Sequence, residues 1–102
     1  MNGPEAAAAA TILERLEEGI GDRRRTLPEH SYTATLFRAG DAAIRRKVGE
    51  EAVEVITAAD GAELAAESAD LIYHLLVLLA AADVPLADVL QILAARAAPG
   101  RK

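Results

Sequence analysis

Cysteine is absent from this 102-residue chain. That excludes disulfide frameworks, thiolate-bound zinc, iron–sulfur clusters and thiol catalysis. Aromatics are almost missing as well: one Phe, two Tyr and no Trp. A core with so few rings is poorly suited to a sandwich or barrel and better suited to closely packed helices. Histidine occurs only at His30 and His74, too sparsely for a histidine-rich metal site. The longest apolar stretch without a formal charge, residues 71–82, is shorter than the roughly 20 residues a bilayer span needs, so no membrane is expected. The N-terminus lacks the basic start and bulky apolar run of a signal peptide, which makes the cytoplasm the expected location.

Lysine and arginine are missing from the whole interval between Lys47 and Arg96. Residues 1–47 hold eight basic and seven acidic side chains, whereas residues 48–102 hold three and nine. A net charge of −5 argues against nucleic acid as a partner, because a phosphate backbone demands a basic footprint. The acidic half is also the more apolar half, and this pairing calls for a reason.

What is present is alanine, 24 residues of it, among Leu, Ile and Val spaced for helices. The length suits a single domain over 1–102, with 1–10 a loose extension and 98–102 a tail. A first helix is expected to start at Ala6, to carry Ile12, Leu13 and Leu16 on one side and to end at Gly19 and Gly21. A loop with three arginines, Arg23 to Arg25, follows. Ser31 caps a short helix over 32–38, which Gly40 closes. Asp41 is expected to cap a long helix over 42–59. After an Asp60-Gly61 turn, a second long helix runs over 62–82, and a last one over 86–97. The fold class is all-α, a bundle of about four to five helices.

The two long helices carry the chemistry. Glu51 and Glu54 stand three apart and share a face, with Glu50 flanking them. Glu67 and Asp70 repeat the spacing on the next helix, and His74 extends that stripe by one turn. The second helix is apolar almost all round, which predicts burial and puts Glu67 and Asp70 at or near the interior. Buried carboxylates need cations, and lysine and arginine are scarce here. A divalent cation is the economical partner, and carboxylate ligands favour Mg²⁺ or Mn²⁺. The plain alternative is a solvated acidic face, the commonest fate of such pairs. His74 fits a hydrogen-bonded structural role better than ligation of a hard cation. Lys47 shares a face with Glu51 and Glu54, and with Arg45 and Arg46 it could hold phosphates. Ion pairing with Asp41 or Glu50 is the competing role for the two arginines.

Written out, the carboxylates read Glu50-Glu51-Ala52-Val53-Glu54, then Glu67-Ser68-Ala69-Asp70. This resembles the EExxE…ExxD signature of the MazG-type all-α nucleotide pyrophosphohydrolases. The wider string is more specific: Ser31-Tyr32-Thr33-Ala34, then Lys47-Val48-Gly49-Glu50-Glu51-Ala52-Val53-Glu54, then Ala69-Asp70-Leu71-Ile72-Tyr73-His74-Leu75-Leu76-Val77-Leu78-Leu79. Over about residues 12–96 it is similar to the phosphoribosyl-ATP pyrophosphatases of histidine biosynthesis. Two departures stand out, a short connection between Glu54 and Glu67 and Ser68 in place of a small apolar residue.

The resemblance implies hydrolysis of phosphoribosyl-ATP to phosphoribosyl-AMP and pyrophosphate. It implies Mg²⁺, for which Mn²⁺ could substitute, at Glu51, Glu54, Glu67 and Asp70, with Glu50 as ligand, neighbour or base. Lys47, Arg45 and Arg46 are expected at the phosphates, and Ser31, Tyr32 and Thr33 near the substrate. It also implies a bundle completed by a homodimer partner. The cyclohydrolase of the next step, zinc-binding and cysteine-rich, is expected on a separate polypeptide. Two other readings stay open: a house-cleaning (d)NTP pyrophosphohydrolase, and a non-enzymatic helical dimerisation module.

Overall fold

The computed structural model describes the backbone of residues 4–100 and the side chains of residues 12–100. Within them lie five helices and no strand: α1 (Pro4–Thr26), α2 (Tyr32–Ala39), α3 (Asp41–Ile56), α4 (Gly61–Ala81) and α5 (Leu86–Arg96). Each helix gives the core at least one buried side chain. Ile20 comes from α1, Leu36 from α2, Ile44 from α3, Leu76 and Val77 from α4, and Leu86 from α5. Leu13, Leu16, Phe37, Tyr73, Leu78 and Leu79 pack around this centre. The most extensive pairing is the α3–α4 hairpin, and α1 lies against α4.

Local chemistry explains most boundaries. The Ser31 hydroxyl accepts from Ala34 N at 3.1 Å and starts α2. Gly40 ends it at φ 96°, a left-handed value that a side chain would strain. Asp60 starts α4 by accepting from Glu63 N at 2.8 Å, while the Glu63 carboxylate accepts from Ala59 N at 3.0 Å. Such reciprocal bonds satisfy two amides at a helix start. The far end of α4 is tied to α1. Arg24 donates to the Ala80 carbonyl at 2.6 Å and to Asp83 at 2.5 Å.

Four expectations need correction. First, α1 does not stop at Gly19 or Gly21 but continues through the three arginines, leaving only residues 27–31 as a connection. An interior glycine costs roughly 1 kcal/mol, whereas full burial of an isoleucine contributes about 1.5–3 kcal/mol. Ile20 is buried between the two glycines, and Arg24 gains its contacts on α4 only if the helix persists. Second, α1 begins at Pro4, two residues before the expected start at Ala6; residues 1–3, 101 and 102 lie outside the described residues. Third, Asp41 does not cap α3. Gly40 occupies the cap position without a side-chain bond, and Asp41, the first helical residue, pairs with Arg45 at 2.8 Å.

Fourth, α4 is not buried all round. His74, Leu76 and Val77 face inward, but Leu64, Ile72 and Leu75 stay exposed. By length and composition α4 could cross a membrane; its inward side chains instead help form the core of the bundle. Helices α3 and α5 likewise leave apolar side chains outside, among them Val53, Ile56, Leu90, Ile92 and Leu93.

Candidate active site

The α3–α4 hairpin brings carboxylates from two antiparallel helices to one place. Glu51, Glu67 and Asp70 each offer an oxygen within 4.8 Å of the others. Glu51 is buried, Glu67 half-buried and Asp70 exposed, so the group forms the wall of an open site and not an interior cluster. That corrects the expectation of interior carboxylates on α4, and its cause is the open apolar flank of that helix. Glu54, exposed on α3, stands close enough for its charge to act on Glu67. Glu50 is exposed beside Lys47 and lies outside the three-carboxylate group.

Electrostatics mark the cluster as under-neutralised. Partial loss of water raises the Glu67 carboxyl above its ordinary range, and the charges of Asp70, Glu54 and Glu51 push it the same way. Lys47 Nζ lies 3.1 Å from Glu51, and that hydrogen bond raises the ammonium above its usual value. No other ion pair reaches the cluster among the described residues. Arg45 is held by Asp41, as the competing reading had it, and Arg46 is exposed without an ion pair among the described residues.

The Ser31-Tyr32-Thr33 segment meets α4 at the turn below Asp70. The Tyr32 hydroxyl lies 2.6 Å from His74 Nε2, and His74 Nδ1 lies 2.7 Å from the Asp70 carbonyl oxygen. The hydroxyls of Thr33 and Tyr73 are hydrogen-bonded to each other. Loss of water raises the Tyr32 phenol, Lys47 opposes the shift, and Glu51 and Asp70 reinforce it. Of the expected substrate contacts, Ser31 is thus committed to its cap and Thr33 is buried against Tyr73. Only Tyr32 keeps a half-open side chain at the cluster. The anchoring of this segment by Tyr73 and His74 escaped sequence reasoning. Hydrogen bonds between residues 40 and 42 positions apart leave no periodic trace, although a histidine on an apolar helix was a signal for a bonded partner.

The donor set fits a hard cation. Oxygens sharing Mg²⁺ at 2.0–2.1 Å lie at most about 4.2 Å apart. A spread of up to 4.8 Å closes to that value with small side-chain adjustments. Carboxylate oxygens alone give no preference to a soft metal.

Residues 13–97 match the family model described as phosphoribosyl-ATP pyrophosphohydrolase. The chain belongs to the phosphoribosyl-ATP pyrophosphohydrolase family. This makes it a hydrolase acting at the pyrophosphohydrolysis step of histidine biosynthesis. A phosphoribosyl-ATP pyrophosphatase of Cereibacter sphaeroides is 51% identical over 89 residues, covering 84% of this chain and 86% of its own length. One from Pelotomaculum thermopropionicum is 53% identical over 88 residues, covering 83% and 90%. A histidine biosynthesis bifunctional protein of Bacillus subtilis is 50% identical over 95 residues, 90% of this chain but only 46% of that protein. The chain therefore spans about half of the bifunctional relatives it matches and most of the single-function ones.

Proposed function

We propose that Glu51, Glu54, Glu67 and Asp70 hold Mg²⁺, with Mn²⁺ able to substitute, and that the bond cleaved is the α–β phosphoanhydride of phosphoribosyl-ATP. The products are phosphoribosyl-AMP and pyrophosphate. One observation carries this reading: carboxylates from two helices converge within 4.8 Å, and among the described residues Lys47 is the one cation paired with them. A bound divalent cation supplies a water of lowered pKa and neutralises charge on the triphosphate. The protein's own groups do the rest. Glu50, exposed at the rim, takes the proton of the attacking water while the water oxygen bonds to phosphorus. The bridging α–β P–O bond breaks, and its electron pair stays on the bridging oxygen, which leaves with pyrophosphate when water attacks the α-phosphorus and with phosphoribosyl-AMP when it attacks the β-phosphorus. Lys47 turns from Glu51 towards the phosphates. Arg46 can follow it, and Arg45 can do so on releasing Asp41. A phosphorylated, ATP-derived substrate supports a cytoplasmic location.

The exposed apolar faces of α3, α4 and α5 support a homodimer, in which a second copy covers Val53, Ile56, Leu64, Ile72 and Leu75. Sedimentation equilibrium is expected to give twice the chain mass, and a monomer at micromolar concentration would remove the dimer from this reading. For the reaction, purified protein with phosphoribosyl-ATP and Mg²⁺ should release pyrophosphate, and chelation should stop it. Equal or faster turnover of dNTPs would favour a house-cleaning role. No release from any of them, with no stabilisation by Mg²⁺, would favour a non-enzymatic dimerisation module.

A further inference from the structure

The Tyr32–His74–Asp70 chain has a direction. A carbonyl oxygen only accepts, so His74 Nδ1, 2.7 Å from the Asp70 carbonyl, must carry the proton. In a neutral imidazole the other nitrogen is then a bare acceptor. Nε2 faces the Tyr32 hydroxyl at 2.6 Å, so the phenol donates its single proton inward. The two hydrogen bonds orient the ring, and Tyr32 and Tyr73 flank it in T-shaped contacts with centroids 5.7 and 5.8 Å distant. What the phenol turns towards the open cluster is an oxygen with lone pairs and no hydrogen. A phosphate oxygen is also an acceptor and would be repelled there, whereas Lys47, whose charge acts on the phenol and which is paired with Glu51, offers donors.

We infer that Tyr32 presents its phenolic oxygen to the substrate as a hydrogen-bond acceptor and reads a ribose hydroxyl, leaving the phosphates to Lys47. His74 is a positioning residue in this scheme: it touches no substrate and fixes which way the phenol proton points. The inference rests on the phosphoribosyl-ATP reading above and names the contact that helps separate this substrate from one lacking the hydroxyl.

Two experiments test it. The first needs no turnover. In protein with ¹⁵N-labelled histidine, above the pH at which free imidazole is protonated, a long-range ¹H–¹⁵N spectrum should show the His74 proton on Nδ1. A proton on Nε2, or on both nitrogens, overturns the inference. The second compares wild type and Tyr32→Phe on phosphoribosyl-ATP and on four analogues, each lacking one ribose hydroxyl. Wild type should lose about tenfold to a hundredfold in kcat/KM on one analogue, mainly through KM. Tyr32→Phe should be reduced by a similar factor on the full substrate and should no longer distinguish that analogue. Unchanged discrimination in Tyr32→Phe, or none in wild type, overturns the inference while the pyrophosphohydrolase reading stands. A wild type inactive on every substrate overturns that reading itself, with the tautomer still measurable. Tyr32 is half exposed, and helix content by circular dichroism should be the same in both proteins.

Discussion

Helix α4 ends in two contrasting ways. At its C-terminus, Arg24 reaches over from α1, donates to the Ala80 carbonyl and pairs with Asp83 at 2.5 Å. There the acidic side chain has its cation, and hydrogen bonding to Arg24 holds Asp83 below its ordinary range. Towards the N-terminus, Glu67 and Asp70 face Glu51 across the hairpin with Glu54 nearby, and among the described residues the one ion pair in this group joins Lys47 to Glu51. Glu67 is raised where Asp83 is lowered. A pair that is already satisfied locks two helices together. A cluster left short of positive charge can accept some from outside.

The contrast can be broken or sharpened, first where the effect is largest. Glu51→Gln or Asp70→Asn should reduce pyrophosphate release on the order of 10²- to 10³-fold or more, with helix content retained. Full activity in either variant would remove that residue from the site. Next, Mg²⁺ at 100 times its dissociation constant should stabilise the wild type by about 2.7 kcal/mol against unfolding. In Glu51→Gln most of that gain should vanish, and an undiminished shift would place the cation elsewhere. At the other end, Arg24→Met should lower the melting temperature by roughly a few degrees and leave kcat/KM within about twofold. A catalytic loss beyond tenfold would show that the two ends are coupled.

The smallest effect concerns pH in the metal-free protein, and its sign differs at the two ends. Glu67 binds its proton more tightly folded than unfolded. Its contribution to stability therefore falls as pH rises through the carboxylate range, and Glu67→Gln should flatten that fall. Asp83 binds its proton less tightly folded. Its contribution is present above its unfolded pKa and disappears in acid, so Asp83→Asn should cost stability at neutral pH and little in acid. Denaturant midpoints across pH measure both, and slopes of equal sign would dissolve the distinction.

Much of this architecture was legible from residue order. The i, i+3 carboxylate pairs lie on α3 and α4 as their spacing implied, and Glu51, Glu67 and Asp70 meet because a hairpin brings the two faces together. Ser31 caps where a serine before a helical pattern should. The misreadings came where distant partners decide. Gly19 and Gly21 look like stops until Ile20 is seen in the core and Arg24 on α4. Asp41 resembles a cap, yet Arg45 takes its carboxylate. The exposed flank of α4 was invisible because apolar composition reports that a surface wants cover without saying whether its own chain supplies it.

The hairpin has a kinetic consequence. Glu51 and Asp70 are fewer than twenty positions apart, joined through the capped Asp60 turn. Contacts this local are expected to form early on a folding pathway, before α1 and α5 need to dock. The crowding of like charges is then met in the transition state and not only in the finished protein. A divalent cation present from the start should accordingly hasten refolding as well as retard unfolding, and the share falling on each rate would tell how complete the acidic hairpin is when folding commits.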